Sequence, residues 1–480
     1  MTTQTAIFIG LIIYSILMLV VSLFFMLRVK KADDYLVAGR GIPYWALTGN
    51  IVGTCIGTGV VIGASGLAYQ HGWAGSAYPI GLGLGTLLAG VVFAVMRRYK
   101  FMTLGEEIAC YYNKNRIVTE FSNISLFFSQ ICWLTVQIMG GGAVLSVVTG
   151  WNHQLCVVLA GFITAVISIP GGLKTVIYTD FLQATILLIG FGILSGVALS
   201  DAGGLTGLYS SVPSAYYSFL GVESYGGWKV VSLILVLLLN PIADPGRRLT
   251  MFSARNEKSA KWSMVTAGII VMTFSSIVGI AGMYTYKLNP GLSSPDQALP
   301  WLVMNVLPYW LAALVVVSIA SAIFSSANGN AAAAGTFFVR HIFSLITGKY
   351  LKQPVVAVRR ALVVIFIFST ALALYMGDIV GFVIKFLPLT MSGLAVIVLM
   401  GRFWKRATWQ GALAALITTP AVSLIIMFIP SQTRLWNNPI IPATVAGVFT
   451  LIVFSLLTSP TRSTFEEIAD SMRNERRSIE

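Results

Sequence analysis

Two adjacent hydroxyls, Ser325 and Ser326, are the residues of this chain whose type and spacing best suit a defined chemistry. They lie in SAIFSSANGNAAAAGTFFVRHI, Ser321 to Ile342, inside an apolar run that begins near Trp301 and also holds Asn328, Asn330 and Thr336. A helix at bilayer depth gains nothing from hydroxyls facing lipid, so small polar residues at this density imply close helix packing or a polar cavity. With the Ala322 carbonyl one turn earlier, partly released by them, the pair forms half of an oxygen cage for a hard monovalent cation. The other half must come from elsewhere in the chain.

The elements that could supply it are membrane helices. The 480 residues are 56% hydrophobic and 10% charged, with a mean hydropathy of +0.83, whereas soluble domains carry roughly 25% charged residues. Separate apolar runs of about 20 residues point to a helical bundle and not to a barrel of alternating strands. The net charge of +14 comes from basic clusters between those runs, which orient a membrane protein and do not suggest nucleic acid. Cys55, Cys110, Cys132 and Cys156 have neither metal-ligand nor disulfide spacing and read as packing residues. The first run, 6 to 27, has no basic residue before it and Arg28, Lys30 and Lys31 after it, the reverse of a signal peptide. It predicts an uncleaved helix with its N-terminus outside.

Helices are expected near 6–27, 43–69, 76–96, 121–149, 154–170, 178–199, 228–246, 264–286, 301–343, 358–376, 379–401, 407–429 and 440–457, thirteen in all. Of 31 Lys and Arg, only Lys229, Lys287 and Arg434 then fall in outer loops, with Lys385 within a helix, which satisfies the positive-inside rule. Residues 201–227 and 289–300 read as outer loops, and 459–480 as a short amphipathic cytoplasmic tail, too short for a signalling domain.

Two helices look broken. Asn50 to Gly66 carries glycines at 53, 57, 59, 63 and 66, each costing up to about 1 kcal/mol of helix propensity relative to Ala. Five helices later, LNPIADPG (Leu239 to Gly246) places two prolines and an Asp at membrane depth. Breaks at corresponding positions point to a transporter of inverted five-helix repeats with its site between them. The expected organisation is an N-terminal helix and loop (1–42), a first repeat (43–200), an external loop (201–227), a second repeat (228–403), two further helices (404–458) and the tail (459–480).

DDYLVAGR (Asp33 to Arg40), GLAYQHG, GGLKTVIYTDFLQ (Gly171 to Gln183), FSARNEKSAK and SAIFSSANGN, in that order, resemble the sodium/solute symporter family. The resemblance runs from about Asp33 to Arg406, with the choline-carrier branch nearest through the Trp133 helix and Pro79 to Gly81. It implies an all-α polytopic membrane protein with a leucine-transporter-like core and one extra N-terminal helix. It also implies a sodium ion held by the carbonyls of Gly53, Ile56 and Ala322 and the hydroxyls of Ser325 and Ser326. Asp180 matches an acidic residue that the family uses near the cytoplasmic end, away from both breaks, for a second sodium or for coupling. A cap on the helix that starts there is its other reading. Members with a complete second site carry hydroxyls where this chain has Asn328 and Gly329, which implies one sodium.

For the solute, Gln137, Asn240 and Asp244 are candidate polar contacts and Trp133 a stacking surface, each with a packing or helix-breaking role as the alternative. Cys55 and Leu82 stand where a choline cage would need aromatics, which disfavours choline. Lys385 either reads a carboxylate or snorkels to the outer surface. The function expected is sodium-driven import of a small organic solute across a cell membrane, by a multi-pass chain with its C-terminus in the cytoplasm. Proton coupling or exchange on the same fold, a channel and a transport-like sensor are the alternatives. HExxH, GxSxG and paired catalytic carboxylates are missing from the sequence, so an enzyme is not expected.

Overall fold

The structure is a computed structural model that describes residues 2–28, 38–168, 173–347, 354–376, 379–436, 438–459 and 463–479. The start of the DDYLVAGR motif and Gly171 and Gly172 lie outside the described residues. The helices used below are α1 (Thr3–Arg28), α2 (Tyr44–Cys55), α3 (Ser65–His71), α4 (Ala77–Phe93), α5 (Leu104–Tyr111), α6 (Arg116–Thr149), α7 (His153–Ser168), α8 (Leu173–Ala202), α9 (Gly227–Ala243), α10 (Pro245–Ser253), α11 (Glu257–Leu288), α12 (Tyr309–Phe337), α13 (Pro354–Tyr375), α14 (Ile379–Phe403), α15 (Trp409–Phe428), α16 (Ile440–Leu457) and α17 (Phe465–Ile479).

By length and apolarity, ten helices among the described residues can cross a membrane, or eleven if α9 and α10 form one bent span. The expected thirteen is not reached on that measure, because α7 has 16 residues and the second expected helix is divided after Cys55. The expected helix 301–343 is divided as well. It ends at Val306 and restarts as α12 after Pro308, whose ring and missing N–H end the continuous ladder. Residues 201–227 are built from short helical turns over the C-terminal end of α3, where His71 Nδ1 and Ser224 Oγ lie 2.9 Å apart.

The serine-bearing α12 sits at the centre. It packs against α8, α6 and α1, and is largely buried, whereas α1 turns Ile12, Ile13 and Ile16 outward. An outward apolar face on a helix of this hydropathy is a lipid-facing face. On the other side α4 fits between α9 and α11, and the absence of side chains at Gly83 and Gly85 lets its backbone approach theirs. Just before α2, Ile42 is tied to the end of α10 and the segment after it by Ile42 N–H to Ser253 O (3.2 Å) and Arg255 N–H to Ile42 O (3.0 Å). In α17, Phe465 packs among Tyr99, Phe101 and Tyr111, so the tail is docked on the bundle.

Candidate functional site

The first break is made by glycine and closed by side chains from other helices. After Cys55 the backbone leaves the helix at Ile56 (φ −89°, ψ 67°) and resumes as a wide turn over Gly59–Ala64. The Thr58 N–H is received by Gln137 Oε1 at 3.0 Å. The Gly53 carbonyl accepts from Ser325 Oγ at 2.7 Å and from Ser326 Oγ at 3.3 Å. Ser325 Oγ also reaches the Ala322 carbonyl (3.2 Å) and Ser326 Oγ the Thr54 carbonyl (3.2 Å). Four of the five expected sodium ligands therefore share one hydrogen-bonded cluster, and Ile56 is the residue at which the backbone departs. Two glycines permit this. A Cβ on Gly57 would run into Ser326 Oγ, and one on Gly53 would lie 3.1 Å from the Asp180 carbonyl.

Asp180 is neither at an exposed end nor a cap. The helix begins at Leu173, and Asp180, about two turns further in and fully buried, lies against the first break. Its Oδ2 accepts from Asn50 Nδ2 at 2.7 Å, and Asn50 Oδ1 accepts from Thr250 Oγ1 at 2.8 Å. Asn50, which the sequence did not single out, thus joins the first broken helix to α8 and α10. Ser168 Oγ donates to Asn328 Oδ1, which leaves that oxygen already engaged.

The second break is made by proline and closed by its own residues. α9 and α10 meet at 45°. Asp244 caps α10, its Oδ1 accepting from the N–H groups of Gly246 (2.7 Å) and Arg247 (3.4 Å), with Pro245 in the first turn. Two arginines follow. Arg248 is fully buried, with Nε 3.1 Å from Glu107 Oε2 of α5, its guanidinium 3.8 Å from the Phe93 ring centre and Nη2 on the Ile242 carbonyl at 3.1 Å. Tyr111 Oη donates to Glu107 Oε1 at 2.9 Å. Burial pushes the Glu107 carboxyl above the ordinary range, and the Arg248 guanidinium pulls it back. Arg247 is 6% exposed and donates Nη1 to Thr54 Oγ1, while its Nε has no partner among the described residues.

Between the breaks lies a small cavity. Trp133, Gln137, Asn240 and Asp244, the candidate solute contacts, all line it, although Gln137 is also engaged with Thr58 and Asp244 with its own helix. Lys385 is exposed on α14 and does not line it. The cation in the wall is Arg247, which the charge pattern placed with Arg248 among inner-loop residues.

Two broken helices facing one central cavity, the first sharing its break with a serine-bearing third helix, define an alternating-access secondary transporter. The profile of the sodium:solute symporter family matches residues 35–419. The chain belongs to that family: it is a sodium-coupled symporter and not an enzyme. It is 25% identical to the mouse sodium/myo-inositol cotransporter 2, covering 94% of this chain and 74% of the relative. It is 24% identical to the sodium/glucose cotransporter of Vibrio parahaemolyticus, covering 84% and 80%. The solved structure of a Na+-coupled sialic acid symporter, substrate-bound and outward-open, superposes with a TM-score of 0.78 at 19% identity, covering 95% of this chain and 98% of that one. The all-α, leucine-transporter-like core expected from the sequence is thereby established, in a multi-pass membrane protein.

Proposed function

We propose that the chain imports a small organic solute with one sodium ion, the ion held by the carbonyls of Gly53, Ile56 and Ala322 and the hydroxyls of Ser325 and Ser326. The observation that carries this reading is the meeting of both hydroxyls with the Gly53 carbonyl across 272 and 273 residues of chain. An ion entering there replaces serine-to-carbonyl hydrogen bonds by ion-to-oxygen contacts. The cage has no formal charge, so the ion is held by dipoles alone, which gives weak, reversible binding suited to turnover.

Sodium binding draws α12 and the first break together. The solute occupies the cavity beside them, with Trp133, Asn240 and Asp244 in its wall, and the two repeats, 43–200 and 228–403, rock around it. Asp180 transmits the state of the cage through Asn50 to Thr250 beyond the second break and so serves coupling. The N-terminus faces outward and the tail the cytoplasm, as the distribution of basic residues requires.

The test is sodium dependence of solute flux in proteoliposomes. Removing both hydroxyls in a Ser325→Ala/Ser326→Ala variant takes two of five ligands, and apparent sodium affinity should fall by more than about tenfold, since each charge-assisted contact is worth about 1.5 kcal/mol or more. Wild-type sodium dependence in that variant would disprove the assignment.

A further inference from the structure

We propose that the transported solute carries a carboxylate and that Arg247 receives it. This rests on the cavity between the breaks being the solute site.

Of the residues lining that cavity, four carry a buried polar atom without a partner among the described residues, three of them N–H donors and the fourth a hydroxyl. Asn240, 1% exposed, leaves Nδ2 unmatched; Arg247, 6% exposed, leaves Nε unmatched; the Trp133 Nε1 and the Tyr78 hydroxyl are buried and unmatched as well. A buried donor left unmatched costs about 1–3 kcal/mol, so a wall with three N–H donors and a hydroxyl favours a ligand with acceptors. Both Asn240 and Arg247 flank the bend between α9 and α10.

Charge narrows the class from hydroxyls to a carboxylate. A guanidinium at this depth is retained against a large desolvation cost, and it normally stands beside a counter-charge. Arg248 has one, Glu107 at 3.1 Å. Arg247 has no carboxylate within 4 Å among the described residues: Asp244 turns Oδ1 to the helix N-terminus and Asp180 turns Oδ2 to Asn50, and Asp180 interacts with Arg247 only at longer range. The Nη1 of Arg247 is turned to Thr54, which sits next to Gly53 of the sodium cage. A carboxylate on the Nε edge would complete the fork of hydrogen bonds that an arginine offers. It would also stand near the incoming sodium, which gives a direct reason for ion and solute to favour each other's binding.

The experiment is thermal stabilisation of the full-length protein in detergent, with sodium or with potassium, by matched acids and neutral analogues: gluconate against glucitol, pantothenate against pantothenol, and a library of hydroxy acids, amino acids and dicarboxylates. At least one acid should stabilise in sodium while its neutral analogue does not, and Arg247→Gln should weaken that acid by at least about tenfold. Arg247→Lys, which keeps the charge without the fork, should retain preference for the acid at reduced affinity and covers the case in which Arg247→Gln fails to fold. Stabilisation by a neutral analogue equal to that by its acid, undiminished acid binding in Arg247→Gln, or a library without a stabilising carboxylate overturns the proposal. Acid binding that is lost in Arg247→Gln but indifferent to sodium would instead leave the carboxylate assignment standing and remove the sodium cage.

Discussion

The two breaks solve the same problem in opposite ways. At Ile56 the released groups are taken up by residues far away in sequence, Gln137, Ser325 and Ser326, and no charge is involved. At Asp244 the released N–H groups are taken up by the adjacent side chain, and two arginines follow at once. A break closed by distant dipoles can open and close with the helices that supply them. A break closed by its own cap is rigid, and the charges on it are fixed in place. The first therefore suits an ion that must come and go, the second the recognition of a solute.

The largest effect should come from unbalancing the charged break. Glu107→Gln leaves Arg248 buried without its counter-charge and should cost about 3–5 kcal/mol, read as a lower unfolding temperature of purified protein. Replacing both partners, Glu107→Gln with Arg248→Met, should recover most of the loss, because the orphaned charge goes too. If the single variant is as stable as the parent, the contrast between a rigid and a movable break fails.

The uncharged break should be sensitive to size. Gly57→Ala places a methyl against Ser326 Oγ, and overpacking of this kind costs about 1–3 kcal/mol. Separation of α12 from the break should lower sodium affinity by about ten- to a hundredfold while expression is largely kept. A titration of sodium-dependent flux measures this. Unchanged affinity would mean that α12 does not close on the break.

The legible parts of this site were those whose signal is local. Five glycines in 17 residues and the pair of prolines mark both breaks, because propensity is read along the chain. Gln137, Asn240 and Asp244 were candidates as polar residues at membrane depth and Trp133 through the family resemblance, and Ser325 and Ser326 stood out as hydroxyls in an apolar run. What Gln137 does was not legible, since its partner is the Thr58 N–H, 79 residues earlier. Asn50 was hidden for the same reason, its two partners lying 130 and 200 residues away. Arg247 was masked by its neighbour: an arginine pair after an apolar run reads as an inner-loop charge cluster. Only the 45° bend, which turns α10 back into the bundle, shows that both are buried.

A smaller effect on stability, about 1 kcal/mol or less, is expected from Asp180→Asn, because an amide oxygen still accepts from Asn50. Its consequence should lie in coupling: the ratio of sodium to solute flux in proteoliposomes should fall away from a fixed whole number as the link from Gly53 to Thr250 loosens. An unchanged ratio would confine communication between the breaks to the cavity itself.

The smallest expected response is to membrane potential, and it tests both breaks together. Each charge moved is worth about 2.3 kcal/mol per 100 mV, or roughly fiftyfold in a solute gradient at 1.4 kcal/mol per tenfold. One sodium at the uncharged break with a monoanion at Arg247 moves no net charge. Uptake of such an acid should then be indifferent to an imposed inside-negative potential while still following the sodium gradient. An amino acid, neutral as a zwitterion, should instead show the full one-charge dependence, because its carboxylate is balanced within the solute. Reversal-potential measurements with the acid identified by stabilisation separate the outcomes. A one-charge response to a monoanion means that two sodium ions move per cycle, and the second would then have to bind at Asp180, whose Oδ1 is buried without a partner among the described residues.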